Sequence, residues 1–275
     1  MRPVGGQPAD EQPVGPASVV RVRPRALTEP ARRALAAQRW RAPVTAVFAR
    51  SFNVTAAGLV VNVASHPLDG VCQVQAAGAI GVRPGAMVAF EASERAVDVG
   101  LASTGRVPAG TFRRPESWFD APGVADAVRP RLEAGARSLA GPEASDVGAA
   151  LALVGLGAGL TPSGDDALVG MLALAWRAFG RTPALRALGA SVAGGALTTD
   201  VAETHLVLAC GGEFAPPVAR LVEALERGRG VDDAVARVAA IGHSSGADLL
   251  AGVQVMAESL RRSAEKGRAM EGAVR

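Results

Sequence analysis

Two neighbouring carboxylates behind a glycine-rich loop are the first residues in this chain whose types and spacing point to chemistry. In Leu153-Val-Gly-Leu-Gly-Ala-Gly-Leu-Thr-Pro-Ser-Gly-Asp-Asp166, glycines run into hydroxyls and then into Asp165 and Asp166. Gly157, Gly159 and Gly164 let the backbone approach a ligand closely, Thr161 and Ser163 add hydroxyl donors, and the acids accept N–H groups or move a proton. A second stretch, Ile241-Gly-His-Ser-Ser-Gly-Ala-Asp248, offers similar groups. Laid over Pro162–Gly170, the window Ser244–Gly252 agrees at five of nine positions. In a chain so rich in alanine and glycine, that identity alone does not establish a repeat. The chemistry is the stronger link: Ser244, Ser245 and Asp248 again bring hydroxyls and a first-turn acid to a helix start. Histidine is the residue type suited to moving protons at neutral pH, and His243 precedes a helix, so it is a candidate proton donor or anion ligand. Thr198 and Thr199 are most simply N-caps, and a hydroxyl pair before a helix can also bind an anion. A plain helix–loop–helix connection also calls for glycines, Pro162 and N-terminal acids, and a loop histidine can simply cap a carbonyl.

The elements that must position these groups are helices. Leu168, Met171, Leu172, Ala175, Trp176 and Phe179 repeat at helical spacing, so the first loop ends where a core-facing helix begins. Ser163 is the expected N-cap, with Asp166 as the acidic half of a capping box. The loop lacks the lysine of a phosphate-binding P-loop, and an alanine-rich helical stretch precedes it rather than a strand. Adjacent acids without further fixed ligands do not define a metal site, and no cofactor is expected. His205 lies in an apolar helix and reads as a core histidine; His66 precedes a proline in a turn and is assigned no role.

The chain has 275 residues, 49% of them apolar, and a net charge of +3. That length suits one large domain or two modest ones. Arginine carries nearly all the positive charge, Lys266 being the lone lysine. Interspersed charges and few aromatics do not suggest nucleic-acid binding. Cys72 and Cys210 lie far apart, as reduced core residues of a cytoplasmic protein do. No signal peptide or long apolar span is legible.

In chain order, residues 1–24 read as a disordered tail rich in Pro, Gly and Gln. A short helix is predicted over Thr28–Arg41. Strands are predicted at Val44–Phe48, Gly58–Val63, Val71–Gln75, Ala86–Phe90 and Ala96–Val99. Helices follow at 124–140, 144–154, after Ser163, and at 184–192, 200–208, 216–227, 231–240 and 245–262, before a frayed tail from 264. The expectation is an α+β fold. A β-rich N-terminal subdomain, a meander or small barrel over 25–120, precedes an all-helical subdomain over 121–263 that carries the loops.

Gly155–Asp166, Thr198-Thr199 and Ile241–Gly252 together resemble the signature of the AllH family, with a departure at Ala158, where the family has proline. The resemblance runs from roughly Thr45 to Leu260 and is strongest after Leu153. It implies a subunit of an oxamate carbamoyltransferase of anaerobic allantoin breakdown. It also implies two partners, an FdrA-like subunit (similar to acyl-CoA synthetases) and a second co-encoded protein. The implied reaction is reversible: oxalurate or a related ureido compound plus phosphate gives oxamate plus carbamoyl phosphate. The Ser-x-Arg-Thr phosphate motif of aspartate and ornithine transcarbamylases is absent from this sequence. The expected site gathers Asp166 and Asp248 at one pocket, residues 157–163 on its wall and His243 at its edge, with Asp165, Asp166 and His243 catalytic. A scaffold subunit pairing its acids with partner arginines, or an autonomous anion-binding protein, would use the same loops.

Overall fold

Alternation of apolar and polar residues decides the N-terminal half. In β3 (Arg41–Val47), Ala42 and Val44 turn inward while Arg41, Pro43 and Thr45 face out. The computed structural model describes residues 19–77, 80–106 and 110–273. The other strands are β1 (Val20–Val22), β2 (Pro24–Leu27), β4 (Ser51–Ala56), β5 (Leu59–Ala64), β6 (Gln73–Ala76) and β7 (Met87–Phe90). β4 and β5 form a hairpin through Ala57-Gly58, both at left-handed φ as a tight two-residue turn requires. The strand order is β1-β7-β3-β4-β5-β6-β2, with parallel pairs at β1·β7 and β5·β6 and antiparallel pairs elsewhere. The two edge strands are consecutive in the chain and separated by Arg23 alone, so the sheet curls into a nearly closed barrel. Helix α1 (Glu29–Ala37) buries Ala31, Ala34 and Leu35 in the barrel's core.

The expected tail overlaps this barrel. Residues 1–18 lie outside the described residues, whereas Val20 to Leu27 supply β1 and β2. Val20, Val22 and Leu27 alternate there with Arg21, Arg23 and Arg25, a period-two pattern hidden by the Pro- and Gly-rich run before it. β4 was not predicted either, because Ser51, Asn53 and Thr55 dilute its apolar residues; Asn53 is nevertheless buried and accepts from Asn62 Nδ2 at 2.9 Å. The predicted strand Ala96–Val99 reduces to a single bridge between Val97 and Thr28. The predicted helix at 28–41 stops at Ala37, where left-handed Arg39 and Trp40 turn the chain into β3.

The C-terminal half is helical: α2 (Ala125–Leu139), α3 (Gly148–Leu151), α4 (Ser163–Phe179), α5 (Pro183–Val192), α6 (Asp200–Cys210), α7 (Pro216–Arg227), α8 (Val231–Ala239) and α9 (Ser245–Ala273). α4 is buried on nearly every side, packing on α9 with α2, α6 and α7 around it. The predicted helix at 144–154 shrinks to the single turn of α3, since Gly155, Gly157 and Gly159 all take positive φ immediately afterwards. α9 outruns its predicted end at Arg262, aided by the Glu258–Arg262 pair at 3.7 Å and by the helix formers that follow.

α6 joins the halves. Its Thr204 Oγ1 accepts from Val60 N of β5 at 2.9 Å, and its Leu208 enters the barrel core. Just beyond it, Phe214 N donates to Val99 O at 2.9 Å, and Arg33 of α1 grips both oxygens of Glu213 at 2.8 Å. No helix among the described residues is long and apolar enough to cross a membrane.

Candidate functional site

Pro162, not Ser163, occupies the N-cap of α4, and no side chain caps that helix. Ser163 is the first helical residue, and its hydroxyl lies beside Asp248 on α9, where it lowers that carboxyl's pKa. Reciprocally, the Ser245 hydroxyl of α9 lies beside Asp166 of α4 and lowers its pKa. Glycines repeat this exchange further along: a Cβ on Gly170 would stand 2.2 Å from Leu249 O, and one on Gly252 would stand 1.9 Å from Ala167 O. Ser163, Asp166, Ala167 and Gly170 correspond in the nine-residue register to Ser245, Asp248, Leu249 and Gly252. The two helix starts are thus related by a local pseudo-two-fold axis, each serine serving the other helix's acid. Geometry supplies what sequence identity alone did not.

The pair is symmetric in construction and unequal in surroundings. Asp248 is fully buried and accepts from Trp118 N at 2.9 Å; burial pushes its pKa up, and Ser163 and the Trp118 amide pull it back. Trp118 belongs to a one-turn 3-10 helix, Trp118–Asp120, closed by a reciprocal Ser117–Asp120 capping box. Arg114 pairs with Asp120 and holds that carboxyl well below the usual range. Asp248 is therefore sealed, and it lines none of the cavities around it.

Asp166 opens the other way. It is 7% exposed, and burial pushes its pKa up to about 7; the hydroxyls of Ser245 and Thr161 oppose that rise, while Asp248 and Asp165 add to it. Thr161 Oγ1 and Ser245 Oγ stand 2.8 Å apart beside it. Its Oδ2, like that of Asp248, is shielded from solvent and has no hydrogen-bond partner among the described residues. Asp166, Thr161 and Ser245 form one end of a cavity of about 120 Å³ that also touches His205, Val71 and Phe214. Thr161, His205 and residues 69–71 continue into a wider cleft of about 360 Å³ between α6 and the barrel, bordered by Asn53, Asn62 and Gln73.

Asp165 is a clamp. It accepts from Gly155 N at 3.0 Å and from Thr198 Oγ1 at 2.6 Å; burial raises its pKa and those two bonds restrain the rise. Thr199 caps α6 through Ala202 N and donates to Leu160 O, so the glycine loop is stitched to the loop before α6. The close backbone approach expected of the glycines is made to the protein's own chain. A Cβ on Gly155, Gly157 or Gly164 would meet Leu197 O at 2.5 Å, Ser163 N at 2.8 Å or Leu153 O at 2.1 Å respectively, whereas Gly159 faces open space.

The structure thus brings Asp166, Thr161 and Ser245 together at a cavity, with Ser163, Gly164, Asp165 and Asp248 buried behind them. Gly157, Gly159, His243 and Ser244 are exposed and line neither cavity, and Thr198 and Thr199 are engaged with the loop. His243 precedes α9 on the solvent side. The histidine at the cavity is His205, which burial holds neutral by pushing its pKa down to about 4. It sits deep in the fold, with its remaining exposure in the cavity. Val201, His205 and Leu208 form an i, i+4, i+7 stripe that turns toward the barrel. That stripe is the signal in the sequence, but its apolar neighbours on every side of α6 mask it.

Among the described residues, no group of three or more His, Cys, Asp or Glu is placed to hold a metal ion. No solved structure matches the chain. The family match falls on the part of the chain where the loop motifs lie, after Leu153. Both helix starts, α6 and the whole helical wall of the cavity fall within one recognised segment: residues 153–257 match the family model described as oxamate carbamoyltransferase subunit AllH.

Proposed function

We propose that this chain is the subunit of a carbamoyltransferase that carries part of its active site. The substrate pair is oxamate with carbamoyl phosphate in one direction and oxalurate, or a related ureido compound, with phosphate in the other. The observation that carries this reading is Asp166: a nine-tenths buried carboxyl lining a cavity whose helical wall lies inside the matched segment. In the phosphorolytic direction, a phosphate oxygen attacks the ureido carbonyl carbon and the C–N bond to oxamate breaks. The proton of hydrogen phosphate ends on the oxamate nitrogen, giving carbamoyl phosphate. Such a transfer needs a group that exchanges a proton near neutral pH and donors at the carbonyl oxygen. Asp166 meets the first need, and Thr161, Ser245 and His205 supply hydroxyls and a neutral ring. Asp165, Asp248, Ser163, Thr198 and Thr199 position the loops. The partners in this reading are an FdrA-like subunit and a second co-encoded protein, and the pathway is allantoin breakdown.

The test uses the assembled complex. Asp166→Asn and His205→Gln should each lower carbamoyl transfer by about a hundredfold, a typical loss for acid–base and positioned polar groups, with subunit affinity unchanged. His243→Gln separates the cavity from the second loop: a comparable loss there would return the proton step to His243. Weakened assembly, with normal turnover restored by excess partner, would identify the chain as a scaffold.

A further inference from the structure

The cavity and the cleft it joins are lined by carboxylates, amides, hydroxyls, a histidine and apolar groups, and by no lysine or arginine among the described residues. Of the acids, Glu213 is already gripped by Arg33, and Asp69 lies at the more exposed edge beside His66. At one end stands Asp166, whose carboxyl is buried in the cavity wall. An anion pushed to that end would meet a carboxylate and no cation, in surroundings too poor in water to screen the repulsion. A neutral carboxamide offers the opposite: N–H donors for the carboxyl and a carbonyl oxygen for a hydroxyl or a ring N–H. The volume suits such a group, being about four times the share of one liquid water molecule.

We propose that the cavity beneath Asp166 seats a neutral terminal carboxamide, the –CO–NH2 end of the substrate, and that the substrate's anionic end points outward to a cationic side chain on another subunit. The N–H groups lie on the Asp166 carboxyl, and the carbonyl oxygen takes its hydrogen bond from His205 or from whichever hydroxyl of the Thr161–Ser245 pair keeps a free proton. This rests on the carbamoyltransferase reading and divides its recognition between two chains. The raised pKa of Asp166 agrees with it, because a donor on the carboxyl is what would stabilise the ionised form.

The experiment is an amide NMR titration of the full isotope-labelled chain with N-methylurea, inorganic phosphate and magnesium chloride in turn. N-methylurea should shift the amides of Thr161, Asp166, His205 and Ser245 saturably, while phosphate and magnesium leave them in place. Asp166→Leu, close in volume and without acceptors, should weaken that response by about tenfold or more; Ser245→Ala serves as the second variant should the first not fold. Saturation by phosphate or magnesium at the same amides, no saturable response to N-methylurea, or a response indifferent to both variants would each overturn the proposal. Carbamoyl transfer by the assembled complex is measured separately. An inactive complex whose chain binds N-methylurea removes the enzymatic reading and keeps the amide seat; an active complex whose chain ignores N-methylurea does the reverse.

Discussion

A carboxylate held where one oxygen finds no donor resists ionisation, and the consequence for Asp166 is a defined pH dependence. Its unfolded value is near 3.8 and its folded value about 7. Between those limits the folded chain keeps a proton that the unfolded chain has lost, so this residue's contribution to stability falls as pH rises through that window. Above pH 7 the penalty is complete, at most on the order of 4 kcal/mol for a shift of this size. Asp166→Asn in the isolated chain should therefore melt higher than the parent at pH 8, and the gap should close toward pH 4. Calorimetry across that range checks it; a lower melting temperature at pH 8 would mean that the charge is already paired. Asp165 should behave in the opposite way. Asp165→Ala strips partners from the Gly155 amide and the Thr198 hydroxyl, and urea unfolding should show a loss of about 2–4 kcal/mol. The sequence placed both acids at a helix start, but which one lines a cavity depends on loops it does not describe. That His205 and not His243 lines the cavity was hidden for the same reason: a helix's apolar neighbours reveal its burial and say nothing of an enclosed cavity beside it.

Packing between elements sets a second limit. Gly170 and Gly252 lie inside helices, where alanine is ordinarily better by about 1 kcal/mol. Here the added methyl would overlap the backbone of the facing helix, at Leu249 O and Ala167 O. The overlap should prevail, and Gly170→Ala or Gly252→Ala should cost at least about 2 kcal/mol by thermal or urea unfolding. Gly141→Ala is the control, since nothing lies within 4 Å of its added carbon; it should change stability by less than about 0.5 kcal/mol. The helices were legible because each buries a stripe wide enough to repeat in sequence, and α7 begins and ends where its pattern does. β1, β2 and β4 were not, because short strands rich in Arg, Ser or Asn owe their place to neighbours contributed by distant residues.

At the scale of the whole molecule, α6 is shared property: one face belongs to the helical core and another to the barrel. The two halves should unfold together. Thr204→Val keeps the shape of α6 and leaves the Val60 amide without its acceptor, at about 1–3 kcal/mol. Hydrogen exchange should then quicken in β5 and in α4 alike; faster exchange in the barrel alone would mean that the halves are independent. The crossed placement of Ser163 beside Asp248 and of Ser245 beside Asp166 adds a constraint in time. On the ribosome, the barrel and every helix through α8 leave the exit tunnel before α9 does. Until then α4 presents a groove shaped by Gly170, and Asp166 stands without Ser245. The surroundings of the cavity-lining carboxyl are thus completed near the end of synthesis, and a nascent chain stalled before Ser245 would carry a helix-shaped vacancy at its centre, open to the α9 of a neighbouring copy.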